Sequence, residues 1–105
     1  MKILFDQGTP APLRHELPGH NISTAYEMGW AELENGDLLK AAEASFDAFI
    51  TTDQNLRYQQ NLSGRRLAIL VLPTTSWPKI RAQIKKVAAA VNALHPGDFV
   101  ELNFS

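Results

Sequence analysis

The feature that most constrains the fold is an uninterrupted run of six apolar residues in the middle of the chain. Residues Leu67–Leu72 read Leu-Ala-Ile-Leu-Val-Leu and lie between Arg66 and Pro73. A strand with one covered face alternates apolar and polar residues, so a run without polar members predicts a strand buried on both faces. Because helices must then cover the sheet on each side, this segment favours an α/β domain with a parallel sheet.

Strand-like and helix-like segments alternate around that run. The order β-α-β-α-β-α-β-α-β predicts one domain over residues 1–105, a three-layer α-β-α fold with a mostly parallel sheet of about five strands. Thr9 and Asn35 are the expected caps of the first two helices. The other strands are predicted at Lys2–Phe5, Asn21–Tyr26, Ala48–Thr51 and, at an edge, Phe99–Phe104. Helices are predicted from Pro10 to Leu17 and from Gly36 to Ser45, with a short helix or turn over 54–62 and a long helix from Pro78 to Leu94.

Composition excludes several classes of site. The chain has 105 residues, 45% of them hydrophobic, and no cysteine. Disulfides, thiolate zinc sites and a cysteine nucleophile are therefore excluded. The sequence shows neither the pattern of a signal peptide nor an apolar run long enough for a bilayer, so we expect a cytoplasmic protein.

Charge is distributed unevenly along the chain. Residues 1–53 carry nine acids and three bases, whereas residues 54–105 carry seven bases and two acids. One interpretation is an acidic metal site beside a basic surface that holds a polyanion. The alternative, of equal weight, is that these charges only solvate the surface.

Carboxylates follow two of the predicted strands. Asp6 comes directly after the first strand, Asp53 two residues after the third, and Asp37 at the start of the second helix. Ligands of open parallel sheets bind beyond the carboxyl ends of the strands, so the three acids are expected to converge there. Such acids repel one another unless a cation or proton intervenes, and oxygen ligands favour Mg²⁺ or Mn²⁺. Taken singly, each acid also fits a turn, a helix start or a cap.

Four short motifs resemble those of PIN-like domains, in particular a compact branch of that family. Residues 45–56, Ser-Phe-Asp-Ala-Phe-Ile-Thr-Thr-Asp-Gln-Asn-Leu, look like the third acidic motif, in which a strand runs into the metal site. The opening Ile-Leu-Phe-Asp-Gln-Gly-Thr-Pro resembles the first motif. Gly19-His20 with Gly29, and Gly36-Asp37-Leu38-Leu39, fall where that branch has Gly-His, Gly and an acid opening a helix. The resemblance covers nearly the whole chain.

This resemblance implies a metal-dependent ribonuclease of the kind found as toxins in toxin–antitoxin pairs. On it, Asp6, Asp53 and Asp37 are the catalytic and metal-binding carboxylates, with Glu34 as a substitute for Asp37. Thr51 and Asn55 support the site. The sequence departs from the family pattern at three places, namely Gly8 for the usual Asn, Asn55 for a further Asp, and no acid in Pro73-Thr74-Thr75-Ser76 after the fourth strand.

Several basic and aromatic residues are candidates for contact with RNA or with a protein partner. The basic candidates for RNA contact are Arg57, Arg65, Arg66, Lys79 and Lys85. Tyr26, Met28 and Trp30 lie around Gly29 and could stack on bases, contact a partner or form a satellite core. An antitoxin and a second copy of the chain are the expected protein partners, mainly from the resemblance.

Two other functions compete with RNA hydrolysis. A PIN-like fold without catalysis would serve as a binding module, which the missing acid at Asn55 favours. A signalling receiver domain also places acids after the first and third strands, but it needs an acidic pair after the first strand and a lysine after the fifth. Here Gln7 follows Asp6, and the chain ends in Phe104-Ser105.

Overall fold

The fold is a five-stranded, entirely parallel sheet. The computed structural model of the chain describes residues 1–59, 62 and 64–105. The strand order is β2-β1-β3-β4-β5, with every neighbouring pair parallel, which confirms the predicted α/β class. The strands are β1 (Lys2–Phe5), β2 (Asn21–Thr24), β3 (Ala48–Thr51), β4 (Ala68–Val71) and β5 (Phe99–Glu101).

Helical segments connect the strands. A 3₁₀ helix spans Ala11–Glu16, and the α-helices are α1 (Asn35–Ser45), α2 (Leu56–Gln59), α3 (Trp77–Ala82) and α4 (Ile84–Asn92). The segment predicted over 54–62 contains α2, while its residues 60 and 61 lie outside the described part of the chain. In the described residues, no helix combines the length and apolarity that crossing a bilayer requires.

Alternate side chains of the strands build two cores, one on each face of the sheet. Ile3, Phe5 and Ile50 face the 3₁₀ helix, α3 and α4, whereas Leu4 and Phe49 face α1 and α2. Every residue of β4 is buried, as the apolar run predicted. The sheet is therefore the middle of three layers, and helices cover both of its faces.

One crossover differs in hand from the others. The chain steps from β1 to β2 in one direction and from β2 to β3, β3 to β4 and β4 to β5 in the other. The 3₁₀ helix of the first crossover lies on one face, and α1 and α2 of the next two lie on the other. Direction and face both change after the first crossover, so the first three crossovers have the same hand. Because α3 and α4 lie on the same face as the 3₁₀ helix, the last crossover has the opposite hand, an uncommon arrangement for parallel strands. It brings α3 next to the 3₁₀ helix.

Two helix predictions were wrong. The segment predicted from Pro10 to Leu17 is a short 3₁₀ helix over Ala11–Glu16, and Pro18 stops the chain from extending into a longer helix. The helix predicted from Pro78 to Leu94 is broken at Gln83, whose φ of −114° and ψ of 27° leave the helical region. The apolar stripe could not reveal this break, because residues on both sides of it reach the same core.

Truncating Leu70 tests whether β4 is the buried centre that the sequence predicts. Leu70 is fully buried in the core beneath α3 and α4. We expect Leu70→Ala to lower the free energy of unfolding by about 2–5 kcal/mol, because it removes buried methyl groups and leaves a cavity. Urea denaturation measures this loss. Val100→Ala, at a half-buried position of edge strand β5, should cost less, and an equal loss would contradict the assignment.

Candidate functional site

The candidate site lies at the switch point of the sheet, where the connections that follow two neighbouring strands run in opposite directions. Strands β1 and β3 are parallel neighbours, with Phe5 beside Ile50, and the connections from them lead toward opposite ends of the sheet. Ligands of open parallel sheets bind at this switch point, beyond the carboxyl ends of the two strands. Asp6 follows β1 directly and Asp53 follows β3 by two residues, so both stand at the same edge.

Two threonine hydroxyls hold the carboxylate of Asp6. The Thr9 hydroxyl lies 2.8 Å from Asp6 Oδ1 and 2.9 Å from the carbonyl oxygen of Ile50, and it donates to this pair of acceptors. The Thr51 hydroxyl donates to Asp6 Oδ2 in a short hydrogen bond. Both threonines are buried, at 5% and 1% exposure, so the carboxylate is fixed from its protein side.

Burial dominates the ionisation of Asp6. It raises the pKa of Asp6 above the ordinary value of 3.8, although hydrogen bonds from Thr51, Thr9 and the backbone of Gly8 act to lower it. The sequence predicts repulsion between the converging carboxylates. The structure instead gives loss of solvation as the cause, since a charge buried from water is disfavoured.

Asp53 is held by three different groups. Its Oδ2 accepts from the Asn35 side chain at 2.7 Å, and its Oδ1 accepts from the backbone N–H of Asn55 at 2.9 Å. Its own N–H donates to the Thr51 hydroxyl oxygen at 3.1 Å. Thr51 therefore connects the Asp6 carboxylate to the backbone of Asp53, while Asn55 acts through its main chain.

Sequence reasoning missed two of these partners because it gave them local roles. Thr9 and Asn35 were expected to cap helices. Pro10 precedes the 3₁₀ helix and Glu34 precedes α1, and neither helix has a side-chain cap. The two side chains bind Asp6 and Asp53 instead. Asn35 and Asp53 are 18 residues apart, and only the packing of α1 reveals their contact.

The glycine that departs from the family pattern stands where a side chain would collide. A Cβ added at Gly8 would lie 2.5 Å from the hydroxyl oxygen of Thr52, well inside the closest approach that real Cβ atoms show. Gly8 also donates its backbone N–H toward the Asp6 carboxylate. The glycine therefore allows the loop after β1 to lie against the loop after β3.

The remaining acid candidates lie at the start of α1. Asp37 is exposed in the first turn, two residues after Asn35, where it complements the helix dipole. Glu34 is the exposed residue that precedes the helix. Within the described ranges, no group of three or more histidine or acidic side chains is arranged to hold a metal ion. The assignment of Asp37 or Glu34 as a third ligand stays a prediction.

An open cavity of about 580 Å³ borders Asp6. The loop and helix after β1 form one wall of it, and Thr24 at the end of β2 forms another together with Tyr26 in the turn that follows. Trp77, at the start of α3, completes the lining because the last crossover places α3 beside the 3₁₀ helix. The volume lies within the range of roughly 300–1,000 Å³ that is typical of small-molecule sites.

A second cavity of similar volume lies at the opposite, amino-terminal edge of the sheet. Its two acids already have backbone partners. Glu43 accepts the N–H groups of Arg66 and Leu67, and Asp47 accepts that of Lys2. These bonds tie the ends of strands together, so we assign this cavity a structural role and place the chemistry at Asp6.

The predicted RNA-contacting residues do not form one surface. Arg57 and Lys79 lie in helices that follow the carboxyl ends of β3 and β4, and both are exposed. Arg57 pairs with Glu101 at 2.8 Å, an exposed ion pair of little energetic weight. Arg65 and Arg66 precede β4 and therefore lie at the edge opposite Asp6. Lys85 is exposed in the first turn of α4.

The sequence matches no protein-family model, and comparisons with curated proteins and with solved structures find no significant similarity. The likeness to PIN-like domains therefore rests on the four motifs and their order along the chain.

Replacing Asp6 by Asn tests whether its burial costs stability. A raised pKa means that the folded state holds the proton more tightly than the unfolded state. The resulting stabilisation is present below about pH 3.8 and is lost as the pH rises through the folded pKa. We therefore expect Asp6→Asn to be more stable than the wild type at pH 7, with the difference narrowing toward pH 4. Urea denaturation of the wild type and the variant at pH 7 and pH 4, in the presence of a chelator, measures the difference in the free energy of unfolding at each pH. A variant that is less stable at pH 7 would show that hydrogen bonding outweighs burial.

Proposed function

We propose that the protein is a divalent-metal-dependent ribonuclease that hydrolyses RNA phosphodiester bonds at the edge formed by Asp6 and Asp53. The observation that carries this proposal is the placement of both carboxylates at the switch point of the sheet, joined through the Thr51 hydroxyl. Both carboxylates are partly buried and hydrogen-bonded, and loss of solvation raises the pKa of Asp6. A perturbed carboxylate at such a position supports a functional site.

The donor set fits Mg²⁺ or Mn²⁺. Magnesium is usually held by one or two carboxylates, keeps several waters and prefers oxygen ligands. The hydrogen bonds from Thr9 and Thr51 leave further lone pairs on the Asp6 oxygens. Asp6 and Asp53 would hold the ion, and Asp37 is the third candidate. When bound, the ion supplies Lewis-acid stabilisation of phosphate charge and lowers the pKa of water.

The surrounding residues have distinct roles in this proposal. Thr9 and Thr51 orient the Asp6 carboxylate, and Asn35 orients that of Asp53. Partial burial excludes water around Asp6, which strengthens electrostatic interactions there. Arg57 and Lys79, on the same edge of the sheet, can contact the phosphates that flank the cleaved bond.

The main alternative is a PIN-like binding module without catalysis. The backbone role of Asn55, where relatives have a further acid, favours this alternative, since one potential ligand is missing. The receiver alternative shares the strand order found here. It is weakened because β5 is followed by Leu102 and Asn103 rather than a lysine. The opposite hand of the last crossover also separates this chain from doubly wound folds whose crossovers are all right-handed.

The resemblance extends the proposal to the protein's setting. It supports a cytoplasmic toxin of a toxin–antitoxin pair, with an antitoxin and a second copy of the chain as partners. Tyr26, Met28 and Leu33 are exposed large apolar side chains, and such residues often mark interfaces. Trp30 instead packs edge-on against Phe46, with ring centroids 6.1 Å apart, so it belongs to the core rather than to a contact surface.

Cleavage of a mixed RNA pool tests the proposal. The wild type should cleave with Mg²⁺ or Mn²⁺ and stop with a chelator. Thr51→Val removes a hydrogen-bond partner of a metal ligand and should lower the cleavage rate roughly 10- to 100-fold. Asp6→Asn removes the ligand itself and should lower the rate further. Glu16→Gln, an exposed acid at the end of the 3₁₀ helix, is the matched control and should cleave normally. Equal cleavage by the wild type and Asp6→Asn would contradict the assigned site, and a wild type inactive on all RNAs tested would favour the binding module.

A further inference from the structure

The cavity beside Asp6 contains an aromatic side chain that metal-dependent hydrolysis does not itself require. Tyr26 lines the cavity together with Asp6, yet 77% of its surface is exposed. Trp77 lines the same cavity and is half-buried against the core. Aromatic rings exposed in a concave site next to phosphate chemistry are typical of surfaces on which nucleobases stack.

The backbone that carries Tyr26 is firmly held. Its neighbour Ala25 is buried and donates its N–H to the carbonyl of Phe5 at 2.8 Å, which fixes the turn to the end of β1. The N–H of Gly29 closes the turn on the Tyr26 carbonyl at 3.0 Å, and the φ of +75° at that position favours glycine. Because the backbone of the turn is already ordered, only the two side-chain torsions of Tyr26 lose freedom when a ligand stacks on the ring.

Reciprocal hydrogen bonds hold the same turn from its other side. The Glu27 carboxylate accepts the N–H of Thr24 at 2.9 Å, and the Thr24 hydroxyl accepts the N–H of Glu27 at 3.1 Å. This arrangement has the form of a capping box, in which each residue satisfies the backbone of the other. Tyr26 lies between these two residues, so its position is fixed in the chain.

An arginine from the 3₁₀ helix clamps that turn to the opposite wall. Both terminal nitrogens of Arg14 donate to the Glu27 carboxylate, and one of them also donates to the carbonyl of Ile22 at 3.1 Å. The Arg14 hydrogen bond lowers the pKa of Glu27 to about 2, so the pair stays ionised at neutral pH. A bidentate ion pair therefore links the Tyr26 turn to the 3₁₀ helix that follows the Asp6 loop.

We propose that this cavity holds one unpaired nucleobase of the RNA substrate, stacked on the Tyr26 ring within the lining that Trp77 completes, so that the adjoining phosphate lies at Asp6. A base inside a duplex has both faces covered by its neighbours, so the subsite selects RNA that is single-stranded at the cleavage point. The inference rests on the proposed hydrolysis of RNA and adds to it the residue that positions the substrate.

Binding of a fluorescently labelled single-stranded RNA oligonucleotide tests this subsite. We measure it by anisotropy with the wild-type metal site intact, in Ca²⁺ and without Mg²⁺ or Mn²⁺, so that hydrolysis does not consume the probe. Tyr26→Ala should raise Kd about 5- to 150-fold, the cost of losing one base-stacking contact. Tyr26→Phe keeps the ring and should bind like its parent. Glu16→Gln, at an exposed residue outside the cavity lining, is the control and should also bind like the parent.

Three results would overturn the subsite: no binding by the parent, equal binding by Tyr26→Ala, or a loss in Tyr26→Phe as large as that in Tyr26→Ala. Cleavage measured with Mg²⁺ or Mn²⁺ separates this inference from the proposed function. RNA hydrolysis that Tyr26→Ala leaves unchanged would remove the subsite and keep the ribonuclease. Tyr26-dependent binding by a wild-type protein that cleaves no RNA would keep the subsite and remove the ribonuclease.

Discussion

The hydroxyl of Thr51 is the interaction on which the site depends. It donates to the Asp6 carboxylate and accepts the backbone N–H of Asp53, so one buried group serves both acids. This is possible because β1 and β3 are parallel neighbours and their ends fall at the same level of the sheet. β3 is buried along its whole length between β1 and β4, which makes Thr51 a fixed reference for the two loops around it.

The same arrangement explains how the fold accommodates a partly buried carboxylate. Burial disfavours the charge on Asp6, and the hydroxyl and backbone donors around it offset only part of that cost. A partly buried carboxylate with a raised pKa that two buried threonines hold is a candidate for a functional role. The charge asymmetry of the chain is partly structural. Backbone hydrogen bonds from Arg66 and Leu67 lower the pKa of Glu43 in the acidic half, and the charges of Arg65 and Arg66 from the basic half add a smaller effect.

The parts of the fold that local patterns determine could be predicted from the sequence. Strands Lys2–Phe5 and Ala48–Thr51 have the predicted bounds. Each is a short apolar run followed directly by polar residues, which indicates where the strand ends. The placement of Asp6 and Asp53 at one edge followed from the parallel order. The break at Gln83 and the hand of the last crossover could not be predicted, because an apolar stripe is the same for a broken or a straight helix on either face.

The partners of the acids could not be predicted for a different reason. Thr9 and Asn35 have strong local preferences for helix starts, and these preferences hid their contacts with Asp6 and Asp53. The cavity at Tyr26 likewise depends on contacts between separate elements, namely the Arg14–Glu27 ion pair and the position of α3. The details of the candidate site thus arise where distant segments meet, which a single sequence does not show.

The central claim is that Asp6 and Asp53 hold a divalent cation. Anomalous diffraction from a crystal soaked in Mn²⁺ tests it most directly, because the signal locates the ion independently of any assay for RNA cleavage. We expect an anomalous peak within coordination distance of an Asp6 oxygen, on the side of Asp6 that faces Asp53. Crystals of Asp6→Asn should show no such peak. A wild-type crystal without a peak at this edge, or with the same peak after Asp6→Asn, would contradict the account.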